Sequence, residues 1–472
     1  MIRKTRCSEP LWRWRLGGAV LAAPRVPRPR SVSVVLGAAV CAFTLLTLGC
    51  DHDRPPLYGC DTRLEACQER VAAELSRVRG GPRVDLPPIE VISEAELRER
   101  YGGETMAPTP EEALSIERWG RTLMLLQLVE SPAALLSGSL EDFVTNVAGF
   151  YDPSTGVITL IDRGVPTSFE SATFLLAHEL THYAQDIDTM AGFGLHEGLA
   201  RSLDNTIALK HHGEGEAEVV ANLVMASLRN EEIPADVFRA YFADWLAGFR
   251  RTVADASDPY LLVQSRASYA VGGAYLTDAW LAGGAGGLRG QWSPAILETA
   301  SWMRGYDSRV SAEPLMECDF PSAPQGYTAW ADDALGGEML FAMLLPEAAP
   351  SDASLAASWS DAATWRGDHL RVYLGEAGDP AAAPVALAYR VRADTDASAR
   401  AIAARLTAAQ SELVYVQQEG RDVLLLASED QAAWEAWSYP LGCAGLPMGV
   451  APARMRSIAE RLPARAFYGI AP

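Results

Sequence analysis

Two histidines four residues apart, His178 and His182, stand in the run Phe174-Leu175-Leu176-Ala177-His178-Glu179-Leu180-Thr181-His182-Tyr183, and they leave this chain few folds. Between Glu170 and Asp186 the only formal charge is Glu179. Such a segment predicts a largely buried helix from Ser168 to about Ile187, opened by the capping-box pattern Thr167-Ser168-Phe169-Glu170 with Thr167 as N-cap. Residues four apart share one helix face, so both imidazoles can reach one metal ion. Glu179 sits about 100° round the helix, beside that site. This HExxH spacing suits a carboxylate that takes a proton from a metal-activated water.

A catalytic zinc needs three protein ligands and an open position, so a second element must bring the third. Gly213-Glu214-Gly215-Glu216-Ala217-Glu218 reads as the start of another helix. Glu214 and Glu218 share a face there, so one can bind metal while the other fixes a ligand histidine from behind. Glu216 points about 200° away from Glu214 and cannot share that side. Acids at a helix start are also simply favoured by the dipole. Glu197, in His196-Glu197-Gly198, is a loop-borne competitor for the third place. His211 and His212 read as surface or loop histidines between two helices, at about 199–210 and 214–229.

His178-Glu179-Leu180-Thr181-His182 followed by Glu214-Gly215-Glu216-Ala217-Glu218 resembles the gluzincin metallopeptidases. A nearer likeness is to bacterial extracytoplasmic metallopeptidase-like proteins of uncharacterised activity, which carry HELxHAxQDQ and a later EGDA. This chain departs from those motifs at Tyr183, Ile187 and Glu216. The likeness spans about residues 84–409. It is sharp at the two motifs and soft at Gly149–Leu160, Tyr269–Gly273, Leu335–Glu338 and Trp365–Asp368. The resemblance implies one Zn2+ held by His178, His182 and Glu214, with Glu218 orienting His178. It also implies peptide-bond hydrolysis by a zinc-activated water with Glu179 as general base. Gluzincins often stabilise the oxyanion with a Tyr or His from a later helix. Tyr269 is the candidate here and Tyr275 the next. The alternatives are a non-catalytic envelope protein on a zincin scaffold and a zinc hydrolase of a non-peptide amide.

The N-terminus predicts export. Residues 1–30 hold eight basic residues and one acid, and an uncharged apolar run to Gly49 ends at Cys50. Basic flank, apolar core and small residue are the parts of a secretory signal. Leu46-Thr47-Leu48-Gly49-Cys50 resembles a bacterial lipobox, which makes Cys50 the expected lipidated first residue and the cell envelope the expected location. A single membrane anchor is the other reading of this run. The whole chain carries 40 Lys+Arg and 60 Asp+Glu, a net charge of −20. Without residues 1–49 the balance deepens to −27, which argues against nucleic-acid binding and leaves a peptide or protein substrate and a membrane as partners. Oligomeric state is not legible. Cys60, Cys67, Cys318 and Cys443 remain after processing. An even set in an oxidising compartment suggests two disulfides, and proximity favours Cys60–Cys67 and Cys318–Cys443 among three pairings.

The expected architecture is α+β. Residues 1–49 are a signal peptide, 50–83 a tether with a short helix near 64–78, and 84–350 a zincin-like catalytic domain. That domain has a small antiparallel sheet, the HExxH helix and a helical lobe; 351–472 form a C-terminal α+β region. Within it, Val147–Ile161 is the clearest hairpin, with Asp152-Pro153-Ser154-Thr155-Gly156 as turn chemistry. The edge of that hairpin is a candidate surface for an extended peptide to add as a strand.

Overall fold

The computed structural model describes residues 59–81, 84–101, 108–135, 144, 147–164, 168–188, 199–315, 321–345, 350–408, 414–431 and 433. Cys50, Thr167, Glu197, Cys318 and Cys443 lie outside the described residues, so the expectations resting on them stay as stated. Among the described residues no helix is long and apolar enough to cross a membrane.

The chain begins with helix α1 (Glu65–Arg79), followed by strand β1 (Ile89–Ser93) and helices α2 (Glu94–Tyr101) and α3 (Pro110–Leu125). The Ser93 hydroxyl accepts from the Glu96 N–H while Glu96 accepts from the Ser93 N–H, a reciprocal cap at the start of α2. Thr109 and Glu112 make the same box ahead of Pro110. Strands β2 (Gly149–Asp152) and β3 (Val157–Asp162) form the expected hairpin. Asp152 organises its turn by accepting from the Ser154 N–H at 2.9 Å, and Gly156 takes the left-handed conformation at φ 70°.

The three strands lie in the order β1-β3-β2. β2 runs antiparallel to β3, but β1 runs parallel to it, with Ile89 opposite Ile158 and Ser93 opposite Asp162. The small sheet is therefore mixed rather than antiparallel. α2 and α3 separate β1 from the hairpin, and so long a crossover lets β1 join the far edge in the same direction.

Helix α4 (Phe169–Asp188) carries the two histidines and packs on this sheet. At its start the Ser168 hydroxyl accepts from the Ser171 N–H at 3.0 Å. Helix α5 (Leu203–Leu228) follows, capped by Ser202. It is one continuous helix where two were expected. Most of its length is buried on all sides, and burial of that kind overrides the low helix propensity of Gly213 and Gly215. His211 and His212 are fully buried on it, which corrects their reading as surface or loop residues.

Helices α6 (Ala235–Ala254) and α7 (Pro259–Ala267) lead into a π-helical turn at Ser268–Gly272 and then helix α8 (Gly273–Arg289), kinked at Gly284. A close crossing explains the glycines here. A Cβ on Gly215 would lie 2.5 Å from the Gly272 carbonyl carbon, so α5 and the π turn touch backbone to backbone. The glycine after Glu214 thus makes room for this turn.

After helix α9 (Thr299–Arg304), a second sheet is built from β4 (Tyr327–Asp333), β5 (Trp365–Gly375), β6 (Val385–Ala393), β7 (Val414–Glu419) and β8 (Asp422–Ser428). Its order is β4-β5-β6-β8-β7, antiparallel throughout. Helices α10 (Gly336–Met343) and α11 (Asp352–Ala362) stand between β4 and β5, and α12 (Asp396–Ala408) covers one face with Ala399, Ile402 and Leu406. The boundary expected at 350/351 is not a domain boundary. β4 pairs with β5 across it, and one apolar cluster runs from Cys67 through Leu176 and Val220 to Ala427. Nor do residues 65–79 behave as a tether: Val71 and Leu75 are fully buried in that cluster. The Cys60–Cys67 disulfide forms as expected and closes the turn before α1.

Candidate metal centre

Three donor atoms converge where α4 crosses α5. His178 Nε2 and His182 Nε2 are 3.1 Å apart, and Glu214 Oε2 lies 3.2 Å from the first and 3.4 Å from the second. Among the described residues His178, His182 and Glu214 are the one group of such side chains able to hold a metal ion. Donors about 2.0–2.1 Å from one tetrahedral ion stand about 3.3 Å apart, so the spacing fits the size of a metal sphere. The charge balance fits as well. Burial would depress the His182 imidazole, but the Glu214 carboxylate outweighs burial and raises it to about 9. Burial would likewise raise Glu214, yet His182 and His178 hold it well below the usual carboxylate range. The pocket therefore favours a positive charge among these three groups. The expected ligand set is brought together, and Glu216 faces away from it.

Each histidine is also held at its other nitrogen. Glu218 Oε2 is 3.7 Å from His178 Nδ1, an ionic contact longer than a hydrogen bond. Burial pushes the Glu218 carboxyl up to about 7 against the pull of His178 and Asn222. His182 Nδ1 meets Gln185 Oε1 at 3.0 Å. Gln185 is a matched position of the motif compared above but receives no role from the sequence, although three residues after His182 is a spacing that puts the two side chains together.

Glu179 is buried beside the triad, and burial raises its pKa against the opposing fields of His178 and His182. A backbone hydrogen bond links it to Tyr151 of β2. The Tyr151 hydroxyl donates to Asp186 at 2.7 Å and its ring meets Tyr183 edge-on at 5.7 Å, so strand β2 is pinned along α4 next to the site. Tyr269, in the π turn, stacks on His178 with ring centres 6.0 Å apart and planes 20° from parallel. Its hydroxyl bonds Glu214, and burial keeps it protonated far above neutrality. Single π turns recur at functional sites because the extra residue re-aims one side chain. Tyr275, the other tyrosine considered, packs against Trp302 and Tyr306 instead.

No protein-family model, curated protein or solved structure matches this chain.

Proposed function

We propose that this protein is a zinc-dependent metallopeptidase of the gluzincin kind. The observation that carries the reading is the convergence of His178 Nε2, His182 Nε2 and Glu214 Oε2 within 3.4 Å, with a buried carboxylate next to them. A zinc ion held by these three atoms would act as a Lewis acid toward a peptide carbonyl and toward water.

The chain's own residues supply the rest. Glu179, buried beside the triad, takes the proton from the attacking water. It then returns that proton to the leaving nitrogen. Tyr269 keeps its hydroxyl proton and turns it from Glu214 to the carbonyl oxygen as negative charge develops there. β2 offers a strand edge beside Glu179 along which an extended peptide can lie.

Metal analysis with a peptide-library digest tests this reading. Wild-type protein should carry one zinc and cleave peptides. Glu179→Gln should keep the zinc and lose activity by a factor of about 10³ or more. Folded protein that binds no zinc, or a zinc-loaded Glu179→Gln that still cleaves well, would remove the basis of the assignment.

A further inference from the structure

Glu216 lies outside the metal sphere, yet it is 1% exposed in the centre of the protein and surrounded by donors. Arg79 Nε, from the last turn of α1, reaches Glu216 Oε1 at 2.8 Å, and this guanidinium is itself 2% exposed. Trp292 Nε1 donates to Glu216 Oε2 at 2.7 Å. The Gln185 amide nitrogen donates to Glu216 Oε2 at 3.1 Å and to the Gly213 carbonyl at 2.9 Å. The Gln185 amide oxygen then faces His182 Nδ1 at 3.0 Å.

The orientation of that amide is forced by chemistry. A carboxylate and a backbone carbonyl can only accept, so the Gln185 NH2 must point to Glu216 and Gly213. Its oxygen is left for His182 and can only accept as well. The His182 Nδ1 must then carry a hydrogen, which in the neutral ring leaves the Nε2 lone pair for a metal ion shared with His178 and Glu214. Glu216 and the Gly213 carbonyl together fix which end of the Gln185 amide faces His182, and Arg79 and Trp292 hold the Glu216 side chain in place by donating to its two oxygens.

We infer that Arg79, Glu216 and Gln185 are positioning residues that set the tautomer of the metal ligand His182. The inference rests on the metallopeptidase reading. It gives helix α1, which lies ahead of both sequence motifs, a direct part in building the metal centre.

The test is zinc affinity, measured by chelator competition, together with 15N NMR of the His182 ring in zinc-loaded protein. Gln185→Met keeps the side-chain length and removes the acceptor. It should weaken zinc binding about 10–100-fold and erase the hydrogen-bonded Nδ1–H signal that wild type shows. Glu216→Gln should do the same, because its amide presents a donor to Gln185 and turns the Gln185 amide round. Should Glu216→Gln fail to fold, the double variant Arg79→Met/Glu216→Met removes both charges and the side-chain acceptor for the Gln185 amide, and should still show the loss of affinity. Metal-free melting curves confirm that each protein compared is folded.

Wild-type affinity and an unchanged Nδ1–H in folded Gln185→Met would overturn the inference and leave the metallopeptidase reading standing. A wild-type protein that binds no zinc would overturn both.

Discussion

Lys210 is one of two lysines in the whole chain and the only one after Lys4, in a protein that otherwise uses arginine. It sits one turn before Glu214 on α5, buried, with its ammonium 3.3 Å from the Gln264 carbonyl oxygen. Burial lowers its pKa from the usual 10.5 to about 8, partly offset by Glu214. Between those two values the unfolded chain holds a proton that the folded protein has lost. Stability therefore rises with pH across the window from about 8 to 10.5 and is flat below it. The rise attributable to this group is about 3 kcal/mol at most. Denaturation midpoints of wild type and Lys210→Met across that window should converge below pH 8 in slope and diverge above it, with only wild type gaining. Equal pH profiles would show that the amine is not desolvated.

At the scale of elements, the site depends on one helix crossing. α4 supplies both histidines and Glu179, α5 supplies Glu214 and Glu218, and the π turn brings Tyr269 over them. The crossing of α5 with the π turn has no room for a side chain, because Gly215 and Gly272 meet through their backbones. Gly215→Ala gains helix propensity of about 1 kcal/mol but inserts a methyl 2.5 Å from a carbonyl carbon. The net effect should be a loss of about 1–3 kcal/mol in denaturant unfolding, with the fit of Glu214 and Tyr269 against His178 loosened. An unchanged or raised midpoint would mean that the two elements are less closely fitted than described.

At the scale of the molecule, the two sheets and the helices between them share one apolar core. The C-terminal sheet is tied into the helical lobe by polar contacts as well. Asp368 of β5 accepts from the Leu335 and Gly336 N–H groups at the start of α10, and Glu338 of α10 meets His211 of α5 at 2.8 Å, both fully buried. Arg304 of α9 reaches Asp394 after β6. Such continuity predicts a single cooperative transition in calorimetry, with calorimetric and van't Hoff enthalpies equal. Two resolved transitions would restore a separate C-terminal domain.

The local rules were legible in the residue order. Capping boxes at Ser93 and Thr109, the Asp152 turn and the HExxH face are set by neighbours three or four positions away, and short-range chemistry decides them. The choice of Glu214 over Glu218 could be posed from spacing, since helix geometry orders residues on one element. What the residue order could not carry is contact between distant elements. Gly213 and Gly215 read as a break because propensity counts against them, whereas the buried crossing requires Gly215 to carry no side chain. β1 joins the hairpin in parallel only because the intervening helices allow the crossover. Arg79 and Glu216 are 137 residues apart, and nothing in either neighbourhood marks them as partners. Only packing decides which buried charges face each other, because a buried charge takes whatever partner the fold brings within about 3 Å.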